Sequence, residues 1–237
     1  KATAVKQDAA ITYNANGGKN APAQQKGTIT AISSEVPWRF GYTFQGWSKS
    51  ASATTADYAP GRKITIQAGE AWTLYAVWRK AEVKNLSAAE DLESCVLTYG
   101  SLWLMLKADQ TGLWSVSSNA ISNPWTGQYS GVDGRLYDSS GKIIKGQTGL
   151  AVGQAFDLHV SLTAGQTYYV EAWATDKNIG AVDLDLNVRR VLHQEKRQPT
   201  CTESGCQEAW QCPTCKKWYQ SMSNESEVAT DNASLPA

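Results

Sequence analysis

Between Tyr13 and Trp78 apolar and polar residues alternate in short runs punctuated by glycine. Phe40, Tyr42 and Phe44 alternate with smaller or polar residues, and Trp72, Leu74, Ala76 and Trp78 repeat the pattern, so each set is expected to share one strand face. Strands are predicted over 11–13, 28–32, 42–47, 64–66 and 72–78, with turns at Asn14-Ala15-Asn16-Gly17-Gly18 and Pro60-Gly61. Gly17 and Gly18 take positive φ without steric cost. Residues 1–10 carry no sustained period and either add an edge strand or trail.

The alternation stops at Arg79-Lys80-Ala81-Glu82-Val83-Lys84-Asn85, where interspersed charge reads as a short linker and a boundary. Ser87-Ala88-Ala89-Glu90 has capping-box spacing for a helical turn. From about Leu92 to Arg190 the chain reads as all-β, with turns at Ser139-Ser140-Gly141, Ala151-Val152-Gly153 and Ala164-Gly165. Trp114 and Val116 face one way, Leu136 and Ile143 serve a hairpin across 138–141, and Phe156, Leu158, Val160 and Leu162 line a half-buried strand.

Composition then excludes several partners. Lys+Arg and Asp+Glu number 22 each in 237 residues, so no overall field favours nucleic acid or an anionic membrane. No apolar run approaches the roughly 20 residues that cross a bilayer. Lys1-Ala2-Thr3 lacks the charged-then-apolar order of a signal peptide, and the chain reads as a piece of a longer secreted protein. The length accommodates two or three domains, expected at 1–80, 86–190 and 191–237.

Three family resemblances sharpen this outline. The Tyr-x-x-Asn-Gly-Gly opening at Tyr13, the centre Gly41-Tyr42-Thr43-Phe44-Gln45-Gly46-Trp47 and the end Thr73-Leu74-Tyr75-Ala76-Val77-Trp78 resemble the internalin B-repeat, or Listeria-Bacteroides repeat. That resemblance implies a β-grasp-like module of a bacterial surface or secreted protein, without catalysis. Gly112-Leu113-Trp114-Ser115-Val116, Gly134-Arg135-Leu136-Tyr137-Asp138-Ser139-Ser140-Gly141 and Leu162 to Val170 resemble the bacterial pre-peptidase C-terminal domain. A jelly-roll-like β-sandwich follows from it, a binding or stabilising appendage of secreted proteins.

The third resemblance carries the candidate metal chemistry. His193, Cys201, Cys206, Cys212 and Cys215 cluster in one polar stretch, and Cys212-Pro213-Thr214-Cys215 is a knuckle that lets two thiolates close on one ion. With Thr200-Cys201-Thr202-Glu203-Ser204-Gly205, Trp210 and Tyr219, the stretch resembles a small zinc-binding repeat of bacterial surface proteins. The resemblance implies His193, Cys201, Cys212 and Cys215 as ligands of a structural zinc in a zinc-ribbon-like module, and Cys206 is an addition that competes with His193 or stays free. A disulfide framework among Cys201, Cys206, Cys212 and Cys215, or a Cys206–Cys95 bond, is the open alternative. Five cysteines leave one thiol over in any pure disulfide scheme.

Other chemistry is thinner. Asp183 and Asp185 share an outer strand face about 7 Å apart, a glycosidase-like pair without a cleft. His159 alternates outward beside Asp157 and reads as solvated, with no Gly-x-Ser-x-Gly elbow to complete a triad. Asp133 and Asp138 flank a hairpin and read as turn formers rather than calcium ligands. Trp47 and Trp78 belong to the repeat core. Trp125, set among turn residues in Ile121-Ser122-Asn123-Pro124-Trp125-Thr126-Gly127, is the candidate contact platform. The expectation is therefore a mainly β, non-enzymatic, extracellular or surface-attached chain that serves as an adhesion, binding or spacer segment toward a host or cell-wall protein or glycan. The competing expectation is the accessory, carbohydrate-binding region of a larger secreted hydrolase.

Overall fold

The computed structural model describes residues 7–86, 91–194, 209–211, 218–219 and 227–228, and among these all regular structure is β. Strands β1 (Ala9–Asn14), β2 (Gln25–Gly27), β3 (Tyr42–Ser48) and β4 (Ala71–Lys80) form a first sheet in the order β2-β1-β4-β3. Its central pair, β1 and β4, is parallel, and the outer pairs are antiparallel. Ile11, Tyr13, Leu74 and Ala76 form the buried face, and Ile29, Ile32 and Ile66 join the same cluster from the connecting loops. The expected strands at 28–32 and 64–66 are thus loops, tied only by a bridge between Ala31 and Lys63. Their isoleucines plug the sheet face instead of extending its edge.

A bulge also breaks the expected alternation. The register of β3 on β4 shifts between Phe44 and Gly46, where φ is +129° and a Cβ would lie 2.7 Å from the Tyr58 carbonyl oxygen. In a regular strand Phe44 and Trp47 would point to opposite faces; the bulge turns both inward, with ring centroids 5.1 Å apart. Phe40 lies outside the strand in the preceding turn and faces elsewhere. In the Asn14–Gly18 turn the positive φ values belong to Asn16 (48°) and Gly17 (87°). Gly18 is required for space: a Cβ there would sit 2.6 Å from the Trp78 ring and 2.8 Å from the Trp38 carbonyl oxygen. The Trp78 indole N–H donates to the Ala15 carbonyl at 2.9 Å, which fastens the turn to the end of the sheet.

The strands after residue 81 build a β-sandwich. These are β5 (Glu82–Leu86), β6 (Asp91–Leu97), β7 (Ser101–Ala108), β8 (Gly112–Ser118), β9 (Ile121–Asn123), β10 (Gln128–Ser130), β11 (Val132–Asp138), β12 (Ile143–Gln147), β13 (Asp157–Leu162), β14 (Thr167–Ala174) and β15 (Val182–Arg190). One layer is ordered β12-β11-β14-β7-β5 and the other β13-β8-β15-β6, while β9 and β10 stand apart as a hairpin. Leu102, Leu104, Leu106, Leu136, Val170 and Ala172 from the first layer meet Trp114, Val116, Leu158, Val160, Leu184 and Leu186 from the second. This alternation supplies the core of the sandwich. The hairpin across Asp138–Gly141 forms, although Ile143 is exposed on the edge strand β12. Beyond it, β16 (Leu192–Gln194), β17 (Ala209–Gln211), β18 (Trp218–Tyr219) and β19 (Glu227–Val228) pair antiparallel in a small four-stranded sheet. Residues 1–6 and the capping-box segment 87–90 lie outside the described residues.

The stretch read as an exposed linker is structured. Arg79 and Lys80 complete β4, Ala81 is buried with its N–H on the Gly41 carbonyl at 2.8 Å, and β5 begins at Glu82 as an edge strand parallel to β7. Edge strands tolerate interspersed charge, so the composition that suggested a linker also suits this position. One residue therefore separates two strands of different sheets, and the repeat lies against the outer face of the five-stranded layer.

That contact is aromatic around a buried acid. The Phe40 ring centroid lies 5.3 Å from Trp103, 5.6 Å from Tyr137 and 4.8 Å from Tyr169. Trp38 meets Trp103 edge-on at 5.8 Å. Glu171, only 2% exposed, accepts from the Trp38 indole N–H at 2.8 Å, the Ser101 hydroxyl at 2.6 Å and the Tyr137 hydroxyl at 2.5 Å. The Trp103 amide donates to Thr43 Oγ1 at 3.0 Å, a second polar tie across the seam. Burial first, and then the Glu171 carboxylate, hold the Tyr137 hydroxyl well above the usual tyrosine range, so it remains a donor.

The Gly18 geometry gives a direct check on the repeat. Gly18→Ala should lower the stability of this sheet by about 2 kcal/mol in urea unfolding, because the Trp78 ring and the Trp38 backbone must both yield. Unchanged stability would mean that the turn does not pack against Trp78 as described.

Candidate functional site

The most exposed large hydrophobic side chain among the described residues is Trp125, at 92%, with Tyr129 on the same hairpin at 62%. Antiparallel pairing of β9 with β10 sets Ser122 opposite Tyr129 on the solvent side, while Ile121 and Ser130 pair inward. Asn123 fixes the turn between them. It is 6% exposed; its Nδ2 donates to the Ile179 carbonyl at 2.6 Å, and its Oδ1 accepts from the Trp125 and Thr126 amides at 3.0 and 3.2 Å. The Gly127 N–H closes the loop on the Asn123 carbonyl at 2.8 Å. An Asn-Pro start to the turn is a sequence signal for this geometry. What it produces is a tryptophan held outward on an ordered tip.

The remaining candidates occupy less promising positions. Asp183 is exposed and Asp185 partly so, both on the outer face of β15, with Asp185 accepting from the Ser94 hydroxyl. His159 corrects the sequence reading: it points away from the sandwich core yet is only 8% exposed. Leu113, Ser115, Ser117 and Val191, which share the outer side of that layer, are buried too, so facing outward around His159 does not mean facing water, as it does at Asp183. Asp157 Oδ1 lies 3.8 Å from His159 Nε2 and accepts from the Ser115 hydroxyl at 3.0 Å. The serine proton is thus directed to the carboxylate rather than to the imidazole, an order that does not activate a nucleophile.

Asp133 and Asp138 serve turns. Asp133 accepts the Gly149 and Leu150 amides at 2.9 and 3.0 Å. Asp138 Oδ1 accepts from the Ser140 hydroxyl, the Ser140 amide and the Lys142 amide at 2.6, 2.9 and 3.0 Å. These bonds, the Ser140 hydroxyl foremost, lower its carboxyl below the usual range. Trp47 is fully buried and Trp78 partly so, in the repeat core. Among the described residues no group of three or more His, Cys, Asp or Glu is placed to hold a metal. Cys201, Cys206, Cys212 and Cys215 lie outside the described residues, and the backbone of His193 sits in β16 opposite Trp210.

Trp103, Tyr137, Tyr169 and Glu171 form the sandwich side of the seam, which alternation on one face did not single out. Their signal is present in Ser101–Ala108, where Trp103 and Met105 alternate with Leu102, Leu104 and Leu106, so the strand is apolar on both faces and covered on both. The seam also leaves a cleft of 210 Å³ edged by Arg79, Lys80, Cys95 and Trp103. It falls below the roughly 300–1,000 Å³ of small-molecule sites.

Comparison with known proteins adds one family. Residues 10–77 match the Listeria-Bacteroides repeat domain, which is less than half of the 237-residue chain. Among curated proteins there is no match. The chain is similar to the crystal structure of the pre-peptidase C-terminal domain of a collagenase from Bacillus anthracis, at 15% identity and a TM-score of 0.34, over 47% of this chain and 98% of that one. The β-sandwich stands on its own strand pairing, and so slight a likeness lends it nothing further. No helix among the described residues is long and apolar enough to cross a membrane.

Asn123→Ala tests whether the hairpin tip is ordered as described. Removing the side chain strands the Ile179 carbonyl and two amides, which should cost about 2 kcal/mol and make the 124–127 amides exchange with solvent faster. Unchanged exchange there would count against a fixed tip.

Proposed function

We propose that this chain is a non-enzymatic, modular segment of a bacterial cell-surface or secreted protein, in which the repeat and the β-sandwich act together as a stiff adhesion or spacer arm. The observation that carries this reading is the seam. A carboxylate that is 2% exposed and receives hydrogen bonds from both modules ties the two together at one orientation. If the modules separated, Glu171, Trp103 and the Tyr137 and Tyr169 rings would meet water. An extracellular setting is supported by the likeness of residues 10–77 to a bacterial repeat domain. A non-catalytic role is supported by the hydrogen bonding of Ser115 to the neighbouring strand, of Asp133 to the 149–150 loop and of Asp138 within its own turn. Partners in this reading are host or cell-wall proteins or glycans met at the exposed surface.

Stiffness is measurable as a distance. Spin labels at exposed Lys26 and Thr148 should give one narrow inter-module distance. In Glu171→Ala three donors lose their acceptor, at about 3 kcal/mol or more, and the distribution should broaden. A broad distribution in the unaltered protein would contradict the arm.

For the C-terminal module we propose a structural zinc held by His193, Cys201, Cys212 and Cys215, with Cys206 competing for the fourth place. Its support is the Cys-x-x-Cys spacing and the small size of the segment, which buries too little apolar surface to fold without a cross-link or metal. Protein purified under reducing conditions should carry about one equivalent of zinc, and a chelator should unfold this module alone. Metal-free protein with Cys212 in a disulfide to Cys201 or Cys206 would replace zinc by a disulfide framework.

A further inference from the structure

We infer that the β9–β10 hairpin is a carbohydrate-binding tip that takes a neutral sugar ring against the face of Trp125. The inference deepens the reading of the chain as a binding arm and rests on it. Its first support is the cost of the arrangement: a tryptophan 92% exposed leaves a large apolar ring in water, and Asn123 spends its buried side chain on keeping the turn in that shape. A partner is thereby met by a preorganised surface, with little entropy lost on binding.

The second support is the chemistry around the ring. No acidic, basic or histidine residue occurs between Asp109 and Asp133, a stretch that contains the whole hairpin. Ser122, Thr126, Gln128 and the Tyr129 hydroxyl surround Trp125 with exposed neutral donors and acceptors. The adjoining turn contributes Asp176 and Lys177, whose charges cancel, and Asp176 Oδ1 accepts the Asn178 amide of its own turn. A pyranose ring matches such a surface, because its C–H face stacks on an indole while its hydroxyls exchange hydrogen bonds with amides and hydroxyls. Anionic polymers would meet a single cation here, Lys177, with Asp176 beside it in sequence. A bilayer would find two aromatic rings interrupted by polar side chains rather than a continuous apolar face. A peptide strand or helix would need a groove, and the tip is convex in the sense that residues 124–129 are all exposed.

One stacked ring on an open surface binds weakly, with a Kd on the order of 0.1–1 mM for an oligosaccharide. Repeated display on a surface would multiply it through avidity. The full chain is to be titrated with chito-, cello- and manno-oligosaccharides, and with phosphatidylcholine vesicles, while the tryptophan indole N–H resonances are followed. At least one neutral oligosaccharide should shift a resonance that is absent in Trp125→Ala. Affinity should fall at least about tenfold in Trp125→Ala and be partly kept in Trp125→Phe, with thermal unfolding unchanged in both because the side chain is solvent-exposed. No binding to any of the three series, binding only to vesicles, or binding that Trp125→Ala leaves intact would overturn the inference. The Lys26–Thr148 distance in Trp125→Ala keeps this test separate from the arm itself: it stays narrow when only the sugar site is wrong.

Discussion

A carboxylate taken out of water must find donors, and in this protein Glu171 finds them on both sides of a module boundary. Trp38 comes from the repeat, while Ser101 and Tyr137 come from the sandwich layer that carries Glu171 itself. Removing the repeat would leave the acid one donor short and uncover the aromatic rings packed around it. The geometry of the rest follows. Ala81 can be the sole residue between β4 and β5 because the two sheets are already held face to face, and Phe40 can leave the repeat core because it packs, partly buried, against Trp103, Tyr137 and Tyr169. Neither module alone accounts for the placement of these residues.

Such a seam has a mechanical consequence. Two β units joined by an exposed linker would report the position of one end only loosely to the other. Here the tie is a buried acid with a ring of aromatic contacts and a bond from the Trp103 amide to the Thr43 hydroxyl, which resembles a domain core more than a hinge. The β9–β10 hairpin is built on the same sandwich and anchored through Asn123 to the segment that follows β14. Fixed modules and a fixed tip are what the proposed binding arm requires, since together they would hold Trp125 at a set place.

Much of this was legible in the residues. The repeat strands at 42–47 and 72–78, the sandwich alternation of Leu158, Val160 and Leu162, and the outward Trp125 all follow from period-2 patterning and turn chemistry. Alternation misled where the backbone or the neighbours changed its meaning. The Gly46 bulge turned Phe44 and Trp47 to the same side, and Ile29, Ile32 and Ile66 were spent on plugging a sheet rather than pairing into one. The outward strand position of His159 suggests solvation, whereas the outer side of the layer is buried around it, with Leu113, Ser115 and Ser117. Glu171 escaped notice because a single acid in a strand looks like a solvent-facing residue until the donors from 133 and 70 residues away in sequence are brought to it. Long-range partners of this kind leave no local trace, although the two-faced apolar strand at Trp103 pointed to a cover of some sort.

Hydrogen exchange at the seam tests the central claim most directly. The Trp38 indole N–H and the Trp103 amide donate across it, so both should exchange only when the protein opens globally, at rates like those of core amides such as Val170. Rapid exchange at Trp38 and Trp103 while Val170 stays protected would mean that the modules part freely and that the seam holds nothing.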